Sequence, residues 1–148
     1  MANSWQIYTK WKEGQLKGTH FIDLDTDTIK VMLVTRSYTP TIETDEFKNA
    51  TGLTTNEVSG TNYTARGATI ASAAVNTASP TITFTCANIT WSQSGTGFST
   101  ARYAIMYKDT GTDSTRPLIC YLDLGGNLGN TLADLTVAID PSGVFTLT

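Results

Sequence analysis

The residues best suited to acid–base chemistry are few in this chain of 148 residues. Its one histidine, His20, stands in the segment GTHFIDL beside a predicted strand. Histidine is the usual proton donor or acceptor near neutral pH, but it needs a paired nucleophile or ligand to do chemistry. No GxSxG elbow, HExxH pair, P-loop or dinucleotide-binding glycine pattern accompanies it. We therefore predict that His20 is structural and that the chain is not an enzyme.

Three alternating aspartates, Asp23, Asp25 and Asp27, form the most suggestive group of metal ligands. Alternate carboxylates can line one side of a calcium loop, but an EF-hand also needs glycine at its sixth position and glutamate at its twelfth. Those positions hold Thr28 and Val34. Calcium held between subunits stays an alternative, whereas capping of a turn before a strand is the favoured interpretation. We predict no metal and no other cofactor.

The two cysteines, Cys86 and Cys120, stand far apart and belong to no CxxC pair. Each lies in a predicted strand, which favours a buried, reduced thiol that packs as a small hydrophobe. A disulfide between neighbouring strands is the alternative.

Four aromatic residues raise the question of a surface on which sugars stack: Trp91, Tyr103, Tyr107 and Tyr121. Tyr103 and Tyr107 share one face of a predicted strand with Ile105, so packing in the core explains them without a ligand. Core packing is the favoured interpretation.

The charge balance argues against nucleic acid and membranes as partners. Ten basic and thirteen acidic residues give a net charge of −3, which offers no general attraction to phosphate or anionic lipid. No apolar run approaches the roughly 20 residues needed to span a bilayer, and the N-terminus lacks the pattern of a signal peptide. We expect synthesis in a cytoplasm.

The first residues predict a short helix from Ser4 to about Glu13, with Ser4 as N-cap and Gly14 as the stop. We divide the chain into an N-terminal arm or helix, residues 1–17, and a single β domain, residues 18–148. Aromatic residues recur every three positions along this helix, and lysines make it mildly basic. Packing of the rings on their own domain is favoured, but the segment also supplies the candidate residues for a subunit or capsid interface: Trp5, Tyr8, Trp11, Lys12 and Lys17.

The remainder of the chain reads as β-strands at intervals of about ten residues. Threonine makes up roughly a fifth of the sequence, and β-branched residues favour a pleated, half-buried surface. Thr28–Thr35 is apolar on both faces, as in a central strand. Ala68–Val75 predicts a strand of small residues, which Asn76–Pro80 follows as a turn.

Further strands alternate between apolar and polar residues. In Thr81–Cys86 the inward positions are Ile82, Phe84 and Cys86. Ala101–Lys108 and Pro117–Leu124 form a predicted hairpin. A type I turn at residues 140–143 then leads to a last strand, Val144–Thr148. This pattern predicts a mainly β fold, an antiparallel sandwich or barrel-like single domain with a short N-terminal helix.

The order of these segments along the chain is similar to that in a known group of proteins. A strand like DTDTIKVMLVT, a loop like VSGTNYTARGATI, a strand like NITWS, then ARYAIMYKDTGTDSTRPLICYLDLGG and a closing PSGVFTLT follow one another between Gly18 and Thr148. In this the chain resembles small structural proteins from the virion gene clusters of tailed bacteriophages. The resemblance brings no catalytic residue with it.

The resemblance implies a capsid decoration, or cement, protein that binds the outer surface of the major capsid protein shell and stabilises it. We accordingly expect a location on the virion, the major capsid protein as partner, and a homo-oligomer, with a trimer favoured. A tail or fibre-associated virion protein, and a carbohydrate-binding module for host attachment, are the alternatives. A hydrolase whose site the sequence does not reveal is a third.

Overall fold

A computed structural model describes residues 4–148 of the chain, so residues 1–3 of the predicted arm lie outside the described residues. One α-helix and ten strands follow one another: β1 (Gln6–Ile7), α1 (Thr9–Lys17), β2 (Ile29–Thr35), β3 (Ala68–Thr69), β4 (Ala74–Ala78), β5 (Thr81–Thr85), β6 (Ile89–Trp91), β7 (Ala101–Lys108), β8 (Leu118–Leu128), β9 (Leu135–Val137) and β10 (Phe145–Leu147). Within this range, no helix is both long and apolar enough to cross a membrane.

The strands form three antiparallel sheets. The largest has the order β1-β8-β7-β2-β3, the second β10-β5-β4, and the smallest pairs β6 with β9. Buried residues from all three sheets join one hydrophobic core. The predicted antiparallel, mainly β fold with a short N-terminal helix is confirmed, and the arrangement is sandwich-like.

The middle of the large sheet is buried on both faces, as predicted for Thr28–Thr35. Four successive residues of β2, Val31 to Val34, have no exposed surface, and β7 beside it is buried from Ala104 to Tyr107. The β7–β8 hairpin is confirmed as well. Because side chains alternate between the two faces of a strand, each face of this sheet needs its own cover.

The long connection between β2 and β3, residues 36–67, covers one face. The ammonium of Lys48, in this connection, lies 5.7 Å from the centre of the Tyr107 ring. Tyr63 reaches back to the sheet, where its hydroxyl accepts a hydrogen bond of 3.0 Å from the backbone N–H of Leu33. These contacts attach a segment without long strands or helices to the sheet.

The opposite face carries Met106 and Cys120. Cys120 Sγ lies 3.8 Å from Met106 Sδ, and Cys86 is close enough to influence the Cys120 thiol. Both cysteines are free and buried. Burial raises the pKa of Cys86 to about 11 and raises that of Cys120 as well. The prediction of reduced, buried thiols is confirmed.

The N-terminal helix starts and ends later than the sequence predicts. Instead of a helix capped by Ser4, the first elements are β1, which pairs Gln6 with Tyr121, and a hydrogen bond of 3.0 Å from Tyr8 N to Ile119 O. These backbone groups are used by the sheet, so the helix begins only at Thr9. It ends at Gly18, whose φ of 69° suits a C-cap.

Gly14, the predicted stop, lies inside the helix. A Cβ at this position would stand 2.3 Å from Cδ2 of His20. Glycine is therefore required there for close packing of the His20 ring rather than for ending the helix.

The strand of small residues is also placed differently. The predicted strand Ala68–Val75 is divided into β3 and β4, and Ser72 between them has a positive φ of 53°. Residues 76–78, predicted as a turn, continue β4 and pair with β5. The turn follows at Ser79 and Pro80, where a proline removes no hydrogen bond from the ladder.

A network of charged residues holds the long connection against the β7–β8 hairpin. Arg116 and Lys48 are buried, with 2% and 1% of their surfaces exposed. The guanidinium of Arg116 contacts Asp109 at 2.6 Å and also Asp113, and Lys48 lies 3.5 Å from Asp113. Burial opposes ionisation of Asp109, yet hydrogen bonds from Lys30 and Arg116 keep its pKa below the usual value. The buried cations are thus matched by carboxylates.

We predict that Asp109→Asn lowers the free energy of unfolding by about 3 kcal/mol, because it leaves a buried guanidinium short of its counter-charge. Urea unfolding at pH 7 measures the loss. Glu43→Gln is the matched control, since Glu43 is exposed and its change should fall within about 0.5 kcal/mol. Equal effects of the two variants would contradict the role of the network.

The difference in unfolding free energy between the parent protein and Asp109→Asn should depend on pH. The folded pKa of Asp109 is depressed, so its contribution is present above the unfolded pKa, near 4, and is lost as the pH falls through the folded value. The gap in stability between the parent protein and Asp109→Asn should therefore narrow below about pH 4.

Candidate interaction surface

The three-stranded sheet of β10, β5 and β4 extends beyond the core. Every residue of β4 after Ala74 is exposed, although its side chains point alternately to opposite faces. The turn at Ser79 and Pro80 is exposed too. Since neither face is covered at this end, the β4–β5 hairpin projects from the body of the domain.

One face of the projecting sheet is apolar. Its register gives two rows of directly opposed residues: Val75, Phe84 and Phe145, then Thr77, Ile82 and Leu147. Phe84 is 1% exposed, whereas Val75, Ile82 and Leu147 are 37%, 41% and 42% exposed. We call these last three residues the outer face.

This apolar face is buried only where α1 covers it. The ring of Trp11 in α1 lies 5.5 Å from that of Phe145, in an edge-on contact, and Phe145 lies 5.5 Å from Phe84. The alternation in Thr81–Cys86 predicts that Ile82 points inward with Phe84. Ile82 does share that face, but the prediction of burial is wrong for it, because nothing in residues 4–148 covers this end of the sheet.

The projecting sheet also lacks charge. No Asp, Glu, Lys, Arg or His occurs between Arg66 and Arg102, and none follows Asp140. All three strands of the sheet fall within these two segments. Charged residues normally keep exposed strands from associating. The two uncharged segments are a sequence signal for an associating surface, although no pattern of aromatic or basic residues accompanies them.

One edge of the projecting sheet is capped by the aspartate group. Asp25 Oδ1 accepts a hydrogen bond of 2.5 Å from the backbone N–H of Val75, at the outer edge of β4. Within the turn, Asp23 N donates to Asp27 Oδ2 at 2.8 Å and Asp25 N donates to Asp23 Oδ1 at 3.0 Å. Hydrogen bonds from Thr26 and from the backbone of Asp25 lower the pKa of Asp23.

The favoured interpretation of Asp23, Asp25 and Asp27 as turn-capping residues is therefore confirmed. Asp27 also forms an ion pair of 2.6 Å with Lys108. Across the described residues, no group of three or more His, Cys, Asp or Glu side chains is placed to hold a metal ion.

A groove adjoins β10, the other edge strand of the sheet. We call this the edge groove; its volume is about 490 Å³, and Ser4, Trp5 and residues 138–146 line it. Its lining residues, as far as the described chain goes, include none from β4 or β5. The half-buried Trp5 lines the groove together with the first residues of β10, Phe145 and Thr146.

The structure does not bring the five predicted interface residues together. Tyr8 and Trp11 are 0% and 4% exposed, so they pack in their own core and have no surface left for a partner. This corrects their assignment as interface residues and confirms the favoured core packing. Lys12 and Lys17 are exposed, and Trp5 lines the edge groove. Contact of these three with a partner stays a prediction.

The N-terminal basic charge is partly neutralised within α1. Glu13 forms ion pairs with Lys10 at 2.9 Å and with Lys17 at 2.5 Å. Hydrogen bonds from Lys17 and Lys10 lower the pKa of Glu13 to about 2. Exposed pairs of this kind add little to stability, but they leave a smaller basic patch than the sequence implied.

His20 is a packed residue. Its Nε2 lies 2.6 Å from Glu46 Oε1, and its ring meets that of Phe47 edge-on at 4.9 Å. These contacts join the loop after α1 to the long connection, which agrees with the structural role predicted for His20.

The aromatic residues considered for sugar stacking do not form a platform. Trp91 is 4% exposed and Tyr107 is fully buried. Tyr103 and Tyr121 are half-buried and meet edge-on at 6.2 Å. The favoured core packing is confirmed for Trp91 and Tyr107, and their burial weighs against the carbohydrate-binding alternative.

We predict that the two ends of the apolar face respond differently to substitution. Phe84→Ala removes a fully packed ring and should cost about 3–5 kcal/mol of unfolding free energy. Ile82→Thr should cost less than about 1 kcal/mol, because much of its side chain already contacts water. Chemical denaturation of dilute protein compares them. An equal loss for both variants would mean that Ile82 is covered in solution.

No protein-family model matches this chain, and comparison with curated proteins and with solved structures also gives no match.

Proposed function

We propose that this chain is a decoration subunit of a tailed-phage capsid, which binds the outer surface of the major capsid protein shell and stabilises it. One observation carries the proposal: an apolar, uncharged outer face on a projecting sheet. The phage virion is implied by the resemblance of the chain to small virion structural proteins.

The outer face is suited to binding another protein rather than to catalysis. Val75, Ile82 and Leu147 belong to paired antiparallel strands, so their positions are fixed before binding. A pre-organised surface loses little conformational entropy on association. Burial of these side chains against a complementary apolar patch then stabilises the complex in proportion to the area removed from water.

A capsid offers the conditions in which such a small surface is sufficient. A shell presents the same patch many times, and an oligomeric subunit that contacts several patches gains affinity through effective concentration. This favours a homo-oligomer. The absence of basic residues from the outer face, together with the net charge of −3, argues for a protein surface over nucleic acid as the partner.

The tail or fibre-associated alternative uses the same surface and differs in its place on the virion. Mass spectrometry of purified heads and tails separates the two. Recovery of the chain with tails alone would replace the capsid proposal.

We predict that Ile82→Asp combined with Leu147→Asp lowers occupancy of empty heads by about tenfold or more, since each carboxylate would have to be dehydrated on binding. Occupancy is measured by co-sedimentation of the purified chain with heads of the phage that encodes it. The matched control is Leu132→Asp, because Leu132 is 95% exposed and lies outside the projecting sheet.

Leu132→Asp adds a charge of the same sign and should bind like the parent protein. If Ile82→Asp with Leu147→Asp occupied heads as well as this control does, the outer face would not be the docking surface. If the parent protein did not bind heads at all, the capsid function itself would be rejected.

A further inference from the structure

We infer that a second copy of this chain pairs with the free edge of β10, antiparallel about a two-fold axis at Thr146. It goes beyond the proposed function, because it concerns contact between two copies of the chain along the free edge of the projecting sheet rather than contact with a capsid. The partner it names is the chain itself, and the contact is continuation of the sheet from one copy into the next.

The two edges of the projecting sheet differ in their availability. At the β4 edge, the N–H of Val75 is already taken by Asp25. At the β10 edge, residues 144–148 include no charged residue and no proline, the two devices that most often protect an edge strand. Thr146, Leu147 and Thr148, along this edge, are all exposed.

The sequence of β10 is self-complementary when two copies run antiparallel. With Thr146 opposite its own counterpart, Phe145 of each copy stands opposite Leu147 of the other. Phe145 and Leu147 lie on the apolar face, so both cross-strand pairs are apolar, while the two threonines meet on the other face. The chain already contains such a pair, since Thr90 and Thr136 are opposed between β6 and β9 with their hydroxyl oxygens 3.0 Å apart.

The β10 edge is compatible with a second copy because it carries no charged side chain. Two chains of net charge −3 repel one another, but along residues 144–148 no charged side chain of one copy would oppose a charged side chain of the other. The charged residue that lines the edge groove, Asp140, is bound within its own turn, where the N–H and hydroxyl of Ser142 donate to its carboxylate at 2.8 and 2.5 Å.

The capped β4 edge limits the assembly to two copies. A contact between identical edges closes on itself, whereas a contact between two different edges generates rings or filaments. A trimer, as expected from the sequence, would have to join β10 to a different edge, and Asp25 obstructs the β4 edge. Pairing of β10 with itself instead gives a dimer with a continuous six-stranded sheet and an outer face of twice the length.

Cross-linking through Thr146→Cys tests the register directly. Under oxidised glutathione, the two introduced thiols should form an inter-chain disulfide in most of the protein, because directly opposed residues of antiparallel strands lie within disulfide reach. Cys86 and Cys120 are buried and should not compete. Ser114→Cys is the control, since Ser114 is exposed in the connection between β7 and β8, outside the projecting sheet, and should give no linked dimer.

Light scattering of the parent protein should give twice the chain mass of 15.9 kDa. A monomer without cross-linking would overturn the inference, and so would a dimer in which Thr146→Cys links no better than Ser114→Cys. A linked dimer that does not bind phage heads would support the inference of a dimer and reject the capsid function. Binding to heads by a chain that remains monomeric would support the capsid function and overturn the inference of a dimer.

The role of Asp25 in blocking the β4 edge can be tested separately. Asp25→Ala removes the acceptor for the Val75 N–H and should let the sheet grow at both edges, so the solution mass rises beyond the dimer. Asp25→Asn keeps a carbonyl oxygen at the same place and should remain dimeric. Equal masses for the two variants would show that Asp25 does not end the assembly.

Discussion

The fold depends on the double burial of β2 and β7. A sheet whose central strands are apolar on both faces is stable only if both faces are covered, and in this chain the two covers are of different kinds. The connection between β2 and β3 has little regular structure and is held by side chains, above all by the buried cations Lys48 and Arg116 with their aspartates. Helix α1 and the two smaller sheets complete the core, and one of those sheets is larger than its contact with the core requires.

The part of the projecting sheet that extends beyond the core connects the fold to its proposed role. The inner end of the apolar face packs under Trp11, while the outer end extends past the helix. Tyr8 and Trp11, which the sequence suggested for an interface, are used inside the domain. The surface proposed for a partner is formed instead by strands far from them in the sequence.

Sequence reasoning succeeded where a structure is determined by neighbouring residues. The continuous apolar run in Thr28–Thr35, the β7–β8 hairpin and the turn at residues 140–143 are local patterns, and all three are confirmed. The start of α1 could not be predicted, because it depends on pairing between β1 and β8, more than a hundred residues apart. The exposure of Ile82 could not be predicted for the same reason. Ile82 and Phe84 occupy equivalent positions in the same alternating pattern, and they differ only in whether α1 extends far enough to cover them.

The absence of charge on the projecting sheet has a consequence for the conditions under which it would associate. Contacts between ionised groups weaken as salt screens them, but burial of uncharged apolar side chains does not, and sulfate or phosphate strengthens it. Apolar association also weakens on cooling. Complexes formed through Val75, Ile82 and Leu147 should therefore persist in concentrated salt and loosen in the cold, which is the opposite of what a basic arm on an acidic shell would do.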